Sequence, residues 1–206
     1  MLKVGLTGSI AVGKSLVLRI LAELGCRAID ADDIARAVVA PASAGLKLVT
    51  EAFGESILQA NGALDRAKLG SIVFADARKR AQLNSILHPL IISAQDRDIR
   101  EIELQDPAAV VIVDAALMIE SGGYRRLDKL IVVHCRPEIQ LARLMSRDNF
   151  SREAAEQRIA SQMSQDDKMR YADFLIDTSE GVEETRKQVV TVFEKLTAIA
   201  PRKVTE

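Results

Sequence analysis

The sequence predicts an α/β protein built on a five-stranded parallel sheet, and three observations carry that expectation. A glycine-rich loop lies between the apolar run Leu2–Thr7 and an amphipathic helical pattern. Four further short runs, β-branched or apolar, each lead into a polar or helical stretch. Strands that alternate with helices in this way form a parallel sheet covered on both faces, whose ligands bind beyond the C-terminal strand ends.

The first strand runs directly into Gly8-Ser9-Ile10-Ala11-Val12-Gly13-Lys14-Ser15, a complete P-loop. Each residue type in it has a task. Glycines let backbone N–H groups curl around phosphates, Lys14 reaches the β and γ oxygens, and the Ser15 hydroxyl suits Mg²⁺. The helix that follows adds its positive N-terminus. Val17, Ile20, Leu21 and Leu24 repeat at i, i+3, i+4 and i+7 until Gly25 stops that helix. The expectation is an enzyme that binds a nucleotide with Mg²⁺.

The second strand, Arg27–Asp30, leads into Asp30-Ala31-Asp32-Asp33-Ile34-Ala35-Arg36. A carboxylate at this edge could accept the proton of an attacking hydroxyl, and Asp32 is the candidate. Asp32 also reads as the N-cap of the next helix, and the two roles can coexist. About 75 residues without a convincing strand then intervene, far beyond the usual αβ loop, so a helical lobe is expected. Its helices are placed at Asp33–Ala40, Ala44–Phe53, Arg66–Phe74, Ala77–Leu87 and Leu90–Leu104, with Asp65 and Asp76 as N-caps and Pro41 and Pro89 as breakers. Asn61-Gly62 marks a turn. His88, beside Pro89, reads on its own as a loop histidine.

Ala109–Asp114 is the third strand. Its terminal Asp114 has the shape of a Walker-B carboxylate that steadies a Mg²⁺ shell, often through water. Glu120, six residues on, could orient a substrate or cap the loop through Ser121-Gly122-Gly123. Lys129–His134 is the fourth strand, with His134 structural, and the polar excursion Pro137–Met169 is helical. Arg143 and Arg147 are four apart on its first helix and share a face. They could offset charge on a transferring phosphoryl group from a mobile lid, or be a solvated face paired with Glu138 or Asp148. Arg152 and Arg158 are secondary candidates. Phe174–Asp177 is the fifth strand, and Glu183–Leu196 presents Val189, Val192, Phe193 and Leu196 as a final covering helix.

Composition narrows the function classes. With 28 Lys and Arg against 29 Asp and Glu, the net charge of −1 gives no broad surface for nucleic acid. Aromatic residues make up 3% and Trp is absent, against base-stacking platforms. Cys26 and Cys135 are isolated and His88 and His134 are the only histidines, so neither zinc ligation nor a Cys–His nucleophile is supported. No signal-peptide pattern precedes the first strand and Asp114 breaks the longest apolar run. The expected protein is soluble and cytoplasmic, with small-molecule partners and no membrane.

Several segments together resemble the dephospho-coenzyme A kinases, over Leu2 to about Leu196. They are Leu6–Ser15, Asp30–Arg36, Leu87-His88-Pro89-Leu90-Ile91, Asp114–Glu120, Gln140–Asp148, Gln157–Met163 and Ala172–Asp177. The resemblance implies an adenylate-kinase-like fold: a core at about 1–32, 108–136 and 172–197, a helical acceptor lobe at about 33–107 and an Arg-bearing lid at about 137–171. It implies transfer of the γ-phosphoryl group of MgATP to the ribose 3′-hydroxyl of dephospho-coenzyme A. Carried over by position, Asp32 is the general base, Lys14 and Ser15 serve the phosphates and Mg²⁺, Arg143 and Arg147 belong to the lid, and His88 faces the acceptor. The family usually has D-x-P-L-L-x-E where this chain has Asp114-Ala115-Ala116-Leu117-Met118-Ile119-Glu120, and often Asn where Thr178 stands. Ala116 frees a torsion that Pro would fix. A kinase for another small molecule, such as a nucleoside monophosphate, would share the architecture. A nucleotide-switch NTPase is disfavoured because the N-K-x-D and ABC-type signatures are missing.

Overall fold

In the computed structural model, which describes residues 1–201, β1 (Leu2–Gly8) is buried along almost its whole length, with Val4 and Leu6 fully inaccessible. A strand so apolar on both faces belongs in the interior of a sheet covered twice. It lies centrally among β2 (Arg27–Asp30), β3 (Val110–Asp114), β4 (Lys129–His134) and β5 (Phe174–Asp177), in the order β2-β3-β1-β4-β5. β1 runs parallel to both neighbours, with Leu6 opposite Asp114 on one side and Gly8 opposite Val133 on the other. β1 therefore extends past the end of β3, and Asp114 comes to rest at the root of the loop that follows Gly8. Gly8 is required there, since a Cβ would fall 2.6 Å from the Val133 carbonyl oxygen.

α1 (Lys14–Glu23) and the last helix, α9 (Gly181–Ile199), cover the sheet. Val17, Ile20 and Leu21 of α1 join Val189, Val192 and Leu196 of α9 in one cluster with Leu6, Ile112, Ile131 and Val133. Cys26 and Cys135 are buried free thiols in that cluster. Burial pushes the Cys26 pKa up to about 11 and also raises that of Cys135 against the opposing charge of Arg143. After β4 come α6 (Pro137–Asp148), α7 (Arg152–Ala160) and α8 (Gln165–Met169).

The described chain divides into two compact units: Met1–Ile29 with the chain from Ile102 onward, and Asp30–Glu101. The second has its own core, in which Val49, Ile57, Leu46, Leu64, Leu69 and Val73 are buried. It contains α2 (Ala31–Val38), α3 (Ala44–Phe53), α4 (Arg66–Ala75) and most of α5 (Ala77–Gln105). Asp65 and Asp76 accept from the backbone N–H groups at the starts of α4 and α5, as N-caps do.

Two expectations are corrected here. The helix expected at Asp33–Ala40 starts at Ala31, because Asp30 is the cap: its Oδ1 accepts from the N–H groups of Asp32 (2.8 Å) and Asp33 (3.0 Å). Asp32 is a first-turn residue, not the cap. The second correction concerns Pro89, which does not break the lobe's long helix. α5 runs unbroken for 29 residues through it and carries His88 as an exposed helical residue. Proline removes one hydrogen bond, but Leu83, Ile86, Leu87 and Leu90 keep the i, i+3, i+4, i+7 spacing across it and are all partly buried. A stripe that stays in phase on both sides favours one helix over two.

Candidate active site

The loop from Gly8 to Ser15 takes its curl from two residues in the left-handed region, Ala11 (φ 61°) and Gly13 (φ 89°), the latter serving as N-cap of α1. A non-glycine residue there is strained by about 1–2 kcal/mol, so Ala11 must be held by its surroundings. The hydrogen bonds show how. Gln140 Nε2 donates to the Ile10 carbonyl (2.7 Å), and Thr178 Oγ1 donates to the Val12 carbonyl (2.7 Å). Carbonyl and N–H point opposite ways across a trans peptide. With these two carbonyls gripped, the Ala11 and Gly13 N–H groups are turned the other way, as a phosphate-cradling nest requires.

Lys14 opens α1, and its Nζ is ion-paired with Asp114 Oδ1. Both side chains are largely covered, at 17% and 9% exposure. Ser15 follows in the first turn of α1 and is exposed.

Arg143 and Arg147 lie one turn apart on α6 but have different surroundings. The half-buried Arg143 donates to Thr178 Oγ1 and to the Thr178 carbonyl, both at 2.8 Å. It therefore supports the threonine that holds Val12. Arg147 is exposed and forks onto Asp148, at 2.7 and 2.8 Å. Its hydrogen bond lowers the Asp148 pKa and raises its own. The structure does not bring the two guanidinium groups together on one partner.

Glu120 pairs with Lys168 at 2.8 Å. Lys168 is completely buried and also donates to the Ala116 carbonyl (2.8 Å), which the Thr7 hydroxyl reaches as well (3.2 Å). Ser121, not Glu120, caps the loop: its Oγ donates to the Met118 carbonyl at 3.2 Å and accepts from the Gly123 N–H at 3.4 Å. In the other unit, Asp33 pairs with Arg36 at 2.7 Å, and Asp32 is exposed in the first turn of α2. His88 is exposed on α5.

Sequence reasoning missed Lys168, Gln140, Gln162 and Gln165 as site-forming residues. Lys168 stands in Gln165-Asp166-Asp167-Lys168, which reads as a solvated run, and glutamines have no motif of their own. Gln140 and Gln162 fall within segments that carried the resemblance, whereas Gln165 and Lys168 lie outside them.

A P-loop at the end of a central parallel strand, with its lysine drawn to a carboxylate at the end of the adjacent strand, defines a P-loop nucleotide-binding protein. The family model for dephospho-CoA kinase matches residues 2–184, and the chain belongs to that family. Among its relatives, a dephospho-CoA kinase of Listeria monocytogenes is 44% identical, the match covering 93% of this chain and 96% of that protein. A solved dephospho-CoA kinase from Campylobacter jejuni superposes with a TM-score of 0.71 at 30% identity, covering 95% of this chain and 97% of that one. A structure from Thermus thermophilus reaches a TM-score of 0.83 at 26% identity, covering 97% and 98%.

Proposed function

We propose that the protein transfers the γ-phosphoryl group of ATP to the ribose 3′-hydroxyl of dephospho-coenzyme A, giving coenzyme A and ADP, through the residues assigned below. The observation that carries this reading is the extent of the family match, which continues through residues 2–184 instead of ending with the P-loop. In the transfer, the bond between the γ phosphorus and the β–γ bridging oxygen breaks as the 3′ oxygen bonds to that phosphorus. The electron pair leaves with ADP, and the 3′-hydroxyl proton goes to the Asp32 carboxylate.

The N–H groups of the P-loop bind the ATP phosphates, and Lys14 follows the charge that builds on the transferring group. Mg²⁺ fits the donors present: the Ser15 hydroxyl is exposed at the loop, and the Asp114 carboxylate ends β3 at its root. Hard oxygen donors of this kind, few in number, suit an ion that arrives with substrate phosphates and keeps much of its water. When bound, it would neutralise phosphate charge. Ser15 and Asp114, the latter through water, are the assigned holders, and no cluster of three or more His, Cys, Asp or Glu side chains suited to a metal occurs among the described residues. Arg147 serves as the lid-side cation, while His88 and Glu120 are assigned to the acceptor side. No described helix is long and apolar enough to cross a membrane, and the assignment to the cytoplasm follows the reaction's small soluble substrates.

Incubation with MgATP and a panel of dephospho-coenzyme A, AMP, CMP and pantothenate, followed by NMR location of the new phosphate, tests the assignment. The expected product carries it on the ribose 3′ oxygen of coenzyme A. A higher kcat/KM for a nucleoside monophosphate would overturn it.

A further inference from the structure

Two glutamines form a hydrogen-bonded chain that ends on the P-loop, and a third meets the loop separately. The Cys135 N–H, just beyond β4, donates to Gln165 Oε1 (2.9 Å). Gln165 Nε2 donates to Gln140 Oε1 (2.8 Å), and Gln140 Nε2 donates to the Ile10 carbonyl (2.7 Å). On the other side of the same residue, the Ile10 N–H (2.9 Å) and the Ser9 hydroxyl (3.1 Å) both donate to Gln162 Oε1. Gln140 and Ser9 are buried, at 2% and 5% exposure. The order of donors and acceptors is fixed, because each carboxamide must present its oxygen to one neighbour and, for Gln140 and Gln165, its nitrogen to the next.

We infer that Gln140 and Gln162 are positioning residues for phosphoryl transfer: together they grip the two peptide planes that flank Ile10 and so aim the Ala11 N–H at the nucleotide phosphates. Three physical points support this. Ala11 is held at φ 61°, a conformation an alanine does not keep unaided, and the peptide plane Gln140 holds is the one that enters the Ala11 φ torsion. Gln162 takes up the Ile10 N–H, which leaves the following amides as the ones turned to the ligand. Gln140 is in α6, Gln162 lies in the link between α7 and α8, and Gln165 is in α8, so the whole excursion after β4 shares in shaping the loop.

The inference rests on the nucleotide site proposed above but not on the identity of the acceptor. Its test is therefore direct ATP binding by titration calorimetry without acceptor, alongside steady-state kinetics. Gln140→Met and Gln162→Met keep the length of the side chain but remove the polar group. Each should weaken ATP binding and raise the KM for ATP about tenfold, the size of one well-made hydrogen bond, while the KM for the acceptor stays within about twofold. Because both act on Ile10, the double variant should fall well short of the hundredfold product of independent effects, to about twenty- to thirtyfold. Gln165→Met, one link removed, should have the same sign and a smaller size.

Should either methionine variant fail to fold, Gln162→Asn and Gln140→Asn keep the amide but draw it back by one methylene, and should show the same selective loss. Unchanged ATP affinity in folded variants, equal changes in both KM values, or a fully multiplicative double variant would each overturn the inference. Failure of the wild-type protein to bind ATP would instead overturn the nucleotide site itself.

Discussion

The P-loop surroundings and the Asp30–Arg36 segment are both rich in carboxylates and cations, but they are held in opposite ways. At the P-loop the partners come from far along the chain: Lys14 and Asp114 are 100 residues apart, Ile10 and Gln162 152, Ala116 and Lys168 52. These groups are covered, and their geometry depends on the sheet. In Asp30–Arg36 the partners are two or three residues apart and exposed, with Asp30 on Asp32 and Asp33, and Asp33 on Arg36. That geometry depends on one turn of helix. The first region is preassembled by the fold, so its residues carry structural and chemical roles together. In the second, a carboxylate can be altered with little structural penalty, and a change in rate there reports chemistry directly.

The sharpest challenge to this contrast is Lys14→Ala. Loss of the cation proposed to follow the γ-phosphoryl group should reduce kcat on the order of 10³-fold or more while the fold survives. Near wild-type turnover by the folded variant would mean that the P-loop is not catalytic. Asp32→Asn, in the exposed region, should lower kcat on the order of 10²-fold with stability changed by less than about 1 kcal/mol. Since Asp30 is the helix cap, Asp30→Ala should do the reverse: about 1 kcal/mol of stability lost in thermal unfolding, with kcat changed far less. If the two variants exchanged these effects, Asp32 would not be the base.

The arginines of α6 bring the comparison within one helix. Arg143→Lys keeps the charge but loses the fork on Thr178, so both melting temperature and ATP affinity should drop, the latter about five- to tenfold. If Arg147 acts as the proposed lid-side cation, Arg147→Lys should leave the melting temperature alone and reduce kcat, by a similar or smaller factor. Equal behaviour of the two variants would erase the distinction drawn from their contacts.

The smallest effect is expected of Cys26. Its thiol is raised from 9.0 to about 11 by burial, so the folded chain holds that proton more tightly than the unfolded one. This contribution to stability is fully present below pH 9.0 and declines as pH rises toward 11. The melting temperature of Cys26→Ala, measured against the parent across that interval, should fall less steeply. Parallel curves would show that the thiol does not titrate with unfolding.

How much was legible in the sequence follows the same division. The five strands and the P-loop could be read because apolar runs and a glycine-lysine spacing are local patterns, and Asp65 and Asp76 were readable as caps because a cap acts over three residues. The start of α2 was misplaced because three candidate carboxylates compete within four positions and only geometry selects Asp30. Pro89 was given too much weight because its local penalty is visible, whereas the apolar stripe that carries α5 past it matters only once packed. Lys168, Gln140 and Gln162 could not be foreseen because their partners lie 25 to 152 residues away and each looks like ordinary polar surface in its own segment. The separate surroundings of Arg143 and Arg147 were hidden for the same reason.

The Lys14–Asp114 pair also bears on which ligands the loop accepts. A simple anion that drew Lys14 away would leave Asp114 without its lysine and offer it nothing in exchange. With the metal held as proposed, a triphosphate arriving with its own divalent ion would compensate both sides at once, giving the lysine an anion and the carboxylate a cation. On that proposal, bare phosphate and chloride are disfavoured, and whatever factor the metal adds to nucleotide binding the nucleotide adds to metal binding, whichever arrives first.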